Sequence, residues 1–371
     1  MNATQHLKRS IGWRKEYYVA PILGKIFENR LDKERADRLF TRNTCLIVQP
    51  MRSGGNLLVR LFDGHRNLNV RPYHLLFSRM SDKIPFHGWV NQKDLTKTCN
   101  TLVDIWRDVI YDPRFYYYKK GLPLRLETRS DGQSKTMYLE VDANIYYACL
   151  LYYIGKSNEI PSDLSVENVV SFALSGYFVA WKNYSLDGWR KHWNISHAPR
   201  HVTYEKTLNF FENFSRTMPN GRILTTVREP ASWVSSLLHA GVRPWDFSKV
   251  VRHYACFADQ LVDAMDIIAP EKLRIIPFES LILRTRETMD TLSDWLEIDR
   301  EEKLYRPSIN DLVENRRNTS FKNSPRSGII DRNVLDRKEF LNSDQKELVD
   351  KNLTPMFEEI LRKAEKKKIM L

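Results

Sequence analysis

The 371 residues carry 58 Lys and Arg against 46 Asp and Glu, a formal charge of +12, and a pI of about 9.4. Hydrophobic residues at 42% and aromatic residues at 12% provide a packed core and exclude a disordered chain. The basic balance favours anionic partners such as nucleotides, acidic glycans, nucleic acid or lipid headgroups, although part of it sits in the tail Arg362-Lys363 to Lys366-Lys367-Lys368, which reads as a solvated helix end.

The four cysteines, Cys45, Cys99, Cys149 and Cys256, form no CxxC pair, so neither a metal site nor a disulfide framework is expected, and buried free thiols in a reducing cytoplasm are. Near the N-terminus the apolar stretch Tyr17 to Leu23 contains Pro21 and is too short to span a membrane.

In chain order, residues 1–42 are polar and basic. Thr44 to Val48 is a short apolar run of the kind that makes a buried parallel strand. A glycine-containing turn follows, and then Leu57, Leu58, Leu61 and Phe62 recur at helical spacing, with Gly64 closing the helix. Residues 81–192 are rich in Tyr and Trp and are expected to be a largely helical insertion, a lid or acceptor-binding region. Within it, Asp131-Gly132 signals a turn and Met137 to Val141 a strand. Trp193 to His197 reads as a strand, Glu205 to Met218 as an amphipathic helix, and Arg222 to Val227 as a β-branched strand. Pro230 suits a first helical turn. Leu273 to Ile276 is a further strand, Thr285 to Leu296 a helix, and Gln345 to Lys368 one final amphipathic helix. Alternating strands and helices predict an α/β fold with a mainly parallel sheet.

Two segments carry chemistry. Arg52-Ser53-Gly54-Gly55-Asn56 joins a predicted strand to a predicted helix. Backbone N–H groups converge there, the helix N-terminus adds partial positive charge, and glycines let an anion approach closely. A tight turn with no ligand fits the loop equally well. The loop has no Walker A lysine, and Gly155-Lys156-Ser157 has Leu150 where the first glycine of that motif belongs. In the second segment the strand ends in Arg228 rather than in a metal-holding aspartate, and Ser236 follows two turns into the next helix. Arg228 falls where open α/β sheets bind ligands, and it suits metal-free chemistry on an anion better than ATP hydrolysis.

Together these segments resemble the nucleotide site of sulfotransferases that use 3′-phosphoadenosine 5′-phosphosulfate (PAPS), of the bacterial or carbohydrate type. Met51 to Leu58 is similar to their 5′-phosphosulfate loop, which reads Pro, Arg or Lys, Ser-Gly-Thr-Thr. The spacing of Arg228 and Ser236 is similar to their 3′-phosphate motif. Ser320-Phe321 resembles a C-terminal nucleotide-contacting region. The resemblance covers about 43–80 and 193–360. It implies a single-domain, three-layer α/β sandwich of the P-loop NTPase-like kind, PAPS as co-substrate without a metal, nucleotide contacts from Arg52, Ser53, Gly54, Gly55, Asn56, Leu57, Arg228, Ser236, Ser320 and Phe321, and a small-molecule or carbohydrate acceptor rather than nucleic acid.

The chain departs from the family in two places. Gly55-Asn56 replaces Thr-Thr, and the segment Arg71 to Leu76 lacks the carboxylate that serves related members as catalytic base. For proton abstraction His74 and His197 compete, and Arg52 is the candidate for stabilising charge on the transferred group and the leaving oxygen. A non-catalytic nucleotide or acidic-glycan binder of the same fold, and a P-loop kinase-like phosphotransferase, are the alternatives.

Overall fold

A computed structural model describes residues 28–74, 126–130, 133–137, 142–157, 165–197, 204–239, 246–313, 330 and 332–371. In chain order these form α1 (Lys33–Leu39), β1 (Thr44–Ile47), α2 (Gly55–Phe62), β2 (Leu68–His74), the hairpin β3 (Leu126–Ser130) and β4 (Gln133–Met137), α3 (Ala143–Ser157) and α4 (Val166–Ala180). Then come β5 (Trp193–His197), α5 (Tyr204–Thr217), β6 (Arg222–Val227), α6 (Pro230–Leu238), α7 (Phe247–Ile267), β7 (Leu273–Pro277), α8 (Phe278–Leu283) and α9 (Thr285–Leu296). The short strands β8 (Ser308–Ile309) and β9 (Leu312–Val313) precede α10 (Ser343–Asn352) and α11 (Thr354–Lys366). The chain divides into two compact units, one of Met1–Arg42, Arg79–Arg125 and Tyr138–Lys191, the other of Asn43–Ser78, Leu126–Met137 and His192–Leu371.

The second unit is built on a five-stranded parallel sheet in the order β2-β5-β1-β6-β7. It is a three-layer α/β sandwich, with helices packed against the sheet. β1 is central, and all four of its residues are buried, as a strand covered on both faces must be. On one face Cys45, Ile47, Val70, Ile195, Leu224 and Ile276 pack against Leu58, Val59 and Phe62 of α2, Leu281 of α8, and Met289 and Leu292 of α9. Elsewhere α5 and α6 pack on α7, and α11 packs on α7 as well. The β7 edge is covered by the C-terminus: Ile275 N–H donates to Ile369 O at 2.9 Å, and Leu371 N–H to Ile275 O at 3.0 Å. That removes an exposed strand edge.

The connection after α2 is tied down by one buried carboxylate. Asp63 Oδ1 accepts from Asn310 N at 2.9 Å, and Oδ2 accepts from Ser308 Oγ at 2.7 Å and Asp311 N at 2.9 Å. Asn310 and Asp311 both have positive φ, 54° and 62°, so Asp63 holds the β8–β9 turn in a conformation that is costly for non-glycine residues. Burial outweighs these bonds and pushes the Asp63 carboxyl up to about 6.

In the first unit α4 is buried along most of its length. Its C-terminal carbonyls are capped from α1: Arg35 donates to Val179 O and Trp181 O, both at 2.9 Å, and pairs with Asp187 at 3.1 Å. Tyr153 is buried against Phe40 and Phe172, so this part of the aromatic run is core, whereas Tyr152 bonds Asp37 in a more exposed position.

The single C-terminal helix expected from Gln345 to Lys368 is two helices. The break falls at Leu353, with Pro355 in the first turn of α11, where a missing N–H costs nothing. β2 is a strand the sequence conceals, because Pro72 argues against one. It is tolerated because β2 is an edge strand and its register with β5 shifts between Val70 and His74. The strand expected at 137–141 ends at Met137 in β4, and residues 138–141 lie outside the described residues. Among the described residues no helix is long and apolar enough to cross a membrane.

Candidate functional site

The loop from Gln49 to Gly54 leaves the C-terminal end of β1 and enters α2. Arg52 and Gly54 both have positive φ, 71° and 97°. Gly54 is required twice over, since its backbone is left-handed and a Cβ there would lie 2.4 Å from the Phe278 ring. Two loop carbonyls are pulled back into the protein: Trp233 Nε1 donates to Met51 O at 2.7 Å, and Arg228 Nη1 donates to Arg52 O at 3.2 Å. At the start of α2, Gly54 provides no side-chain cap. The N–H groups of Gly55, Asn56 and Leu57 are therefore first-turn donors with no intrahelical acceptor. Beside them, Ser53 Oγ is buried with no hydrogen-bond partner. An uncapped helix start beside a buried, unpartnered hydroxyl is an arrangement an anion satisfies.

The second element is β6 with the turn into α6. Glu229 caps α6, accepting from Ala231 N at 3.0 Å and Ser232 N at 2.7 Å, so it is not a surface partner of Arg228. Arg228 is buried. Its Nη2 donates to Val334 O at 2.6 Å, its guanidinium lies 4.6 Å from the centre of the Phe278 ring, and its Nε is buried without a partner. Tyr254 holds the backbone in place by donating to Arg228 O at 2.9 Å.

Ser236 Oγ gathers the charges. It accepts from Arg52 Nε at 3.4 Å and from Arg337 Nη1 at 3.3 Å. Arg337 lies in the turn Asp336–Phe340, which Ser235 and Ser232 anchor by donating to Arg337 O at 2.6 Å and Leu335 O at 3.1 Å. Two arginines from distant segments thus meet at one serine, and Arg228 joins them through its bond to Arg52 O. Burial, followed by the charge of Arg337, pulls Arg228 down to about 9, with Glu279 opposing and Arg52 reinforcing the drop. Burial lowers Arg52 as well. Arg228 has protein carbonyls as its hydrogen-bond acceptors, and a dianion would relieve the repulsion among these arginines.

A scan against family models finds no match, and no curated sequence matches. Structure comparison aligns the chain with the sulfotransferase domain from the Curacin biosynthetic pathway at 14% identity and TM-score 0.39, over 83% of this chain and 96% of that one. It also aligns the chain with the sulfotransferase domain of the Synechococcus PCC 7002 olefin synthase, at 12% identity and TM-score 0.41, over 83% and 94%. A third alignment is with sulfotransferase STF9 from Mycobacterium avium, at 12% identity and TM-score 0.39, over 90% and 81%. At these identities and scores, function rests on the site's own chemistry.

Of the residues singled out from sequence, Arg52, Ser53, Gly54, Gly55, Asn56, Arg228 and Ser236 surround one loop. Leu57 stands in the same first turn, but its side chain packs on the apolar clusters of Phe278 and Leu58, leaving its N–H as its polar contribution. His197 ends β5, is buried, and its Nδ1 lies 3.1 Å from Asn56 Oδ1. An amide oxygen only accepts, so this contact makes Nδ1 the protonated nitrogen and Nε2 the basic one. Nε2 faces the loop, 2.5 Å from where a Cβ of Gly55 would stand. His74 is opposite His197 in the β2–β5 register, and its side chain lies outside the described residues, as do Ser320 and Phe321. Arg337 escaped the sequence reading. It lies 17 residues beyond Ser320 in a basic loop where nothing in the spacing sets one arginine apart. Among the described residues no group of three or more His, Cys, Asp or Glu is placed to hold a metal ion.

Proposed function

We propose that the chain is a sulfotransferase that takes the sulfuryl group of PAPS and delivers it to a hydroxyl or amine of an acceptor, a small molecule or a carbohydrate. The observation that carries this reading is the meeting of Arg52 and Arg337 on Ser236, with Arg228 bonded to Arg52 O, beside the uncapped start of α2. This gives one nucleotide two separate anion-binding positions. The donors fit the co-substrate: the N–H groups of Gly55, Asn56 and Leu57 with Ser53 Oγ suit its 5′ end, and Arg228, Ser236 and Arg337 suit its 3′-phosphate. PAPS supplies an activated sulfuryl group when bound.

The chain's own part is positioning, charge and a proton. Arg52 stands between the two positions and balances charge that builds on the oxygens of the 5′ end as the bond to the leaving oxygen breaks. His197 takes the acceptor's proton at Nε2, with Asn56 holding the ring in the required tautomer. His74, its register neighbour, is the second candidate for that proton.

The test is the ligand dependence of Arg228→Ala. It is expected to raise the dissociation constant for 3′-phosphoadenosine 5′-phosphate (PAP) at least tenfold, the scale of one charge-assisted hydrogen bond, and to change that for adenosine 5′-phosphosulfate far less. Equal losses for both ligands would remove Arg228 from the 3′-phosphate.

A further inference from the structure

Gly55 is a glycine for want of space rather than for backbone freedom, since its φ is not positive, unlike that of Gly54. A Cβ built on Gly55 would lie 2.2 Å from Gln49 Nε2 and 2.5 Å from Gln49 Cδ. The carboxamide of Gln49 therefore fills the volume that a side chain at position 55 would occupy. Gln49 follows β1 closely and is only 2% exposed. Its orientation is set from β6, where Thr226 Oγ1 donates to Gln49 Oε1. An amide whose oxygen is fixed in this way presents its NH2 in the other direction, and here that direction is the first turn of α2. Among the described residues none engages Nε2. A donor on a nearly buried side chain that no described residue engages is open to a ligand.

We infer that Gln49 is a further anion-binding residue of the loop, donating from Nε2 to a 5′-phosphate oxygen of the nucleotide at the start of α2. The glycine at 55 and the glutamine at 49 then form one device, in which the donor that residue 55 lacks reaches the same place from the end of β1. Thr226 is a positioning residue, acting only through the Gln49 amide. The inference rests on the nucleotide reading above and adds to it a residue that the loop motif does not contain.

The experiment compares two ligands that differ only at the 5′ end, PAP and adenosine 3′-monophosphate, by calorimetric titration. Gln49→Leu removes the donors at similar volume and is expected to weaken PAP about 10-fold or more, the scale of a hydrogen bond to a charged group, while adenosine 3′-monophosphate stays within about twofold. Gln49→Glu puts an anion in the same place and is expected to weaken PAP further still. Thr226→Val, nearly isosteric, releases the amide and is expected to weaken PAP several-fold with the other ligand unmoved. It serves as the readout where the Gln49 variants do not fold. PAP binding the unaltered protein but losing no more than adenosine 3′-monophosphate in these variants overturns the inference alone. PAP failing to bind the unaltered protein overturns the nucleotide reading and the inference with it.

Discussion

Replacing Arg337 with Ala separates a binding residue from a structural one. The side chain donates to Ser236 Oγ at 3.3 Å, and its charge is the second-largest cause depressing Arg228, after burial. In the unliganded protein its removal loses, among its interactions, the long charged-donor bond to Ser236, worth about 1 kcal/mol, but relieves like-charge repulsion on Arg228. The two effects oppose each other, so unfolding free energy is expected to change by less than about 1 kcal/mol. The anchoring bond from Ser235 is untouched, because it ends on the Arg337 carbonyl. With a phosphate bound the sign is unopposed: one charge-assisted bond, about 1.5–3 kcal/mol, disappears, which is roughly a 10- to 150-fold rise in dissociation constant. Urea unfolding of the free protein and calorimetric titration with PAP measure the two sides. A variant destabilised by more than about 2 kcal/mol that binds PAP normally would show that Arg337 is a structural residue and refute the three-arginine site.

Gly54→Ala is expected to abolish measurable PAP binding and to lower stability by about 1–3 kcal/mol, since the new Cβ meets both a left-handed backbone and the Phe278 ring. A normal titration would show that the loop conformation is not what binds. Asp63 gives a pH signature remote from the site. Its folded value, about 6, lies above the 3.8 of the free group, so the folded state holds the proton between them. Its contribution to stability is full below 3.8 and is lost as pH rises through about 6. The difference in unfolding free energy between wild type and Asp63→Asn is therefore expected to move against wild type by roughly 2 kcal/mol from pH 4 to pH 7. A flat difference over that range would refute the burial argument.

What the sequence revealed and what it hid follow from the range of the interactions concerned. β1, β5, β6, β7 and α9 were legible because buried parallel strands and amphipathic helices impose local patterns. The loop and the pair Arg228 and Ser236 were legible because strand–loop–helix units place their ends predictably. β2 was hidden by Pro72, which only a register shift at a sheet edge accommodates. Leu353 and Pro355 divide what periodicity alone joins. Arg337 was invisible because its role depends on a serine 101 residues away. Gln49 and Gly55 show the same limit at short range: Gly55 read as a missing hydroxyl, and only the packing of the Gln49 amide gives the glycine its reason.

The central claim is that the three arginines and the start of α2 form a site for a nucleotide with phosphates at both 3′ and 5′ ends. The most direct measurement is the thermal unfolding of the unaltered protein with PAP and with ATP–Mg²⁺ at equal concentration. Ligand binding to the folded state raises the midpoint by mass action, and a concentration-dependent rise with PAP is expected, much larger than any with ATP–Mg²⁺. No rise with PAP, or a larger one with ATP–Mg²⁺, would contradict it.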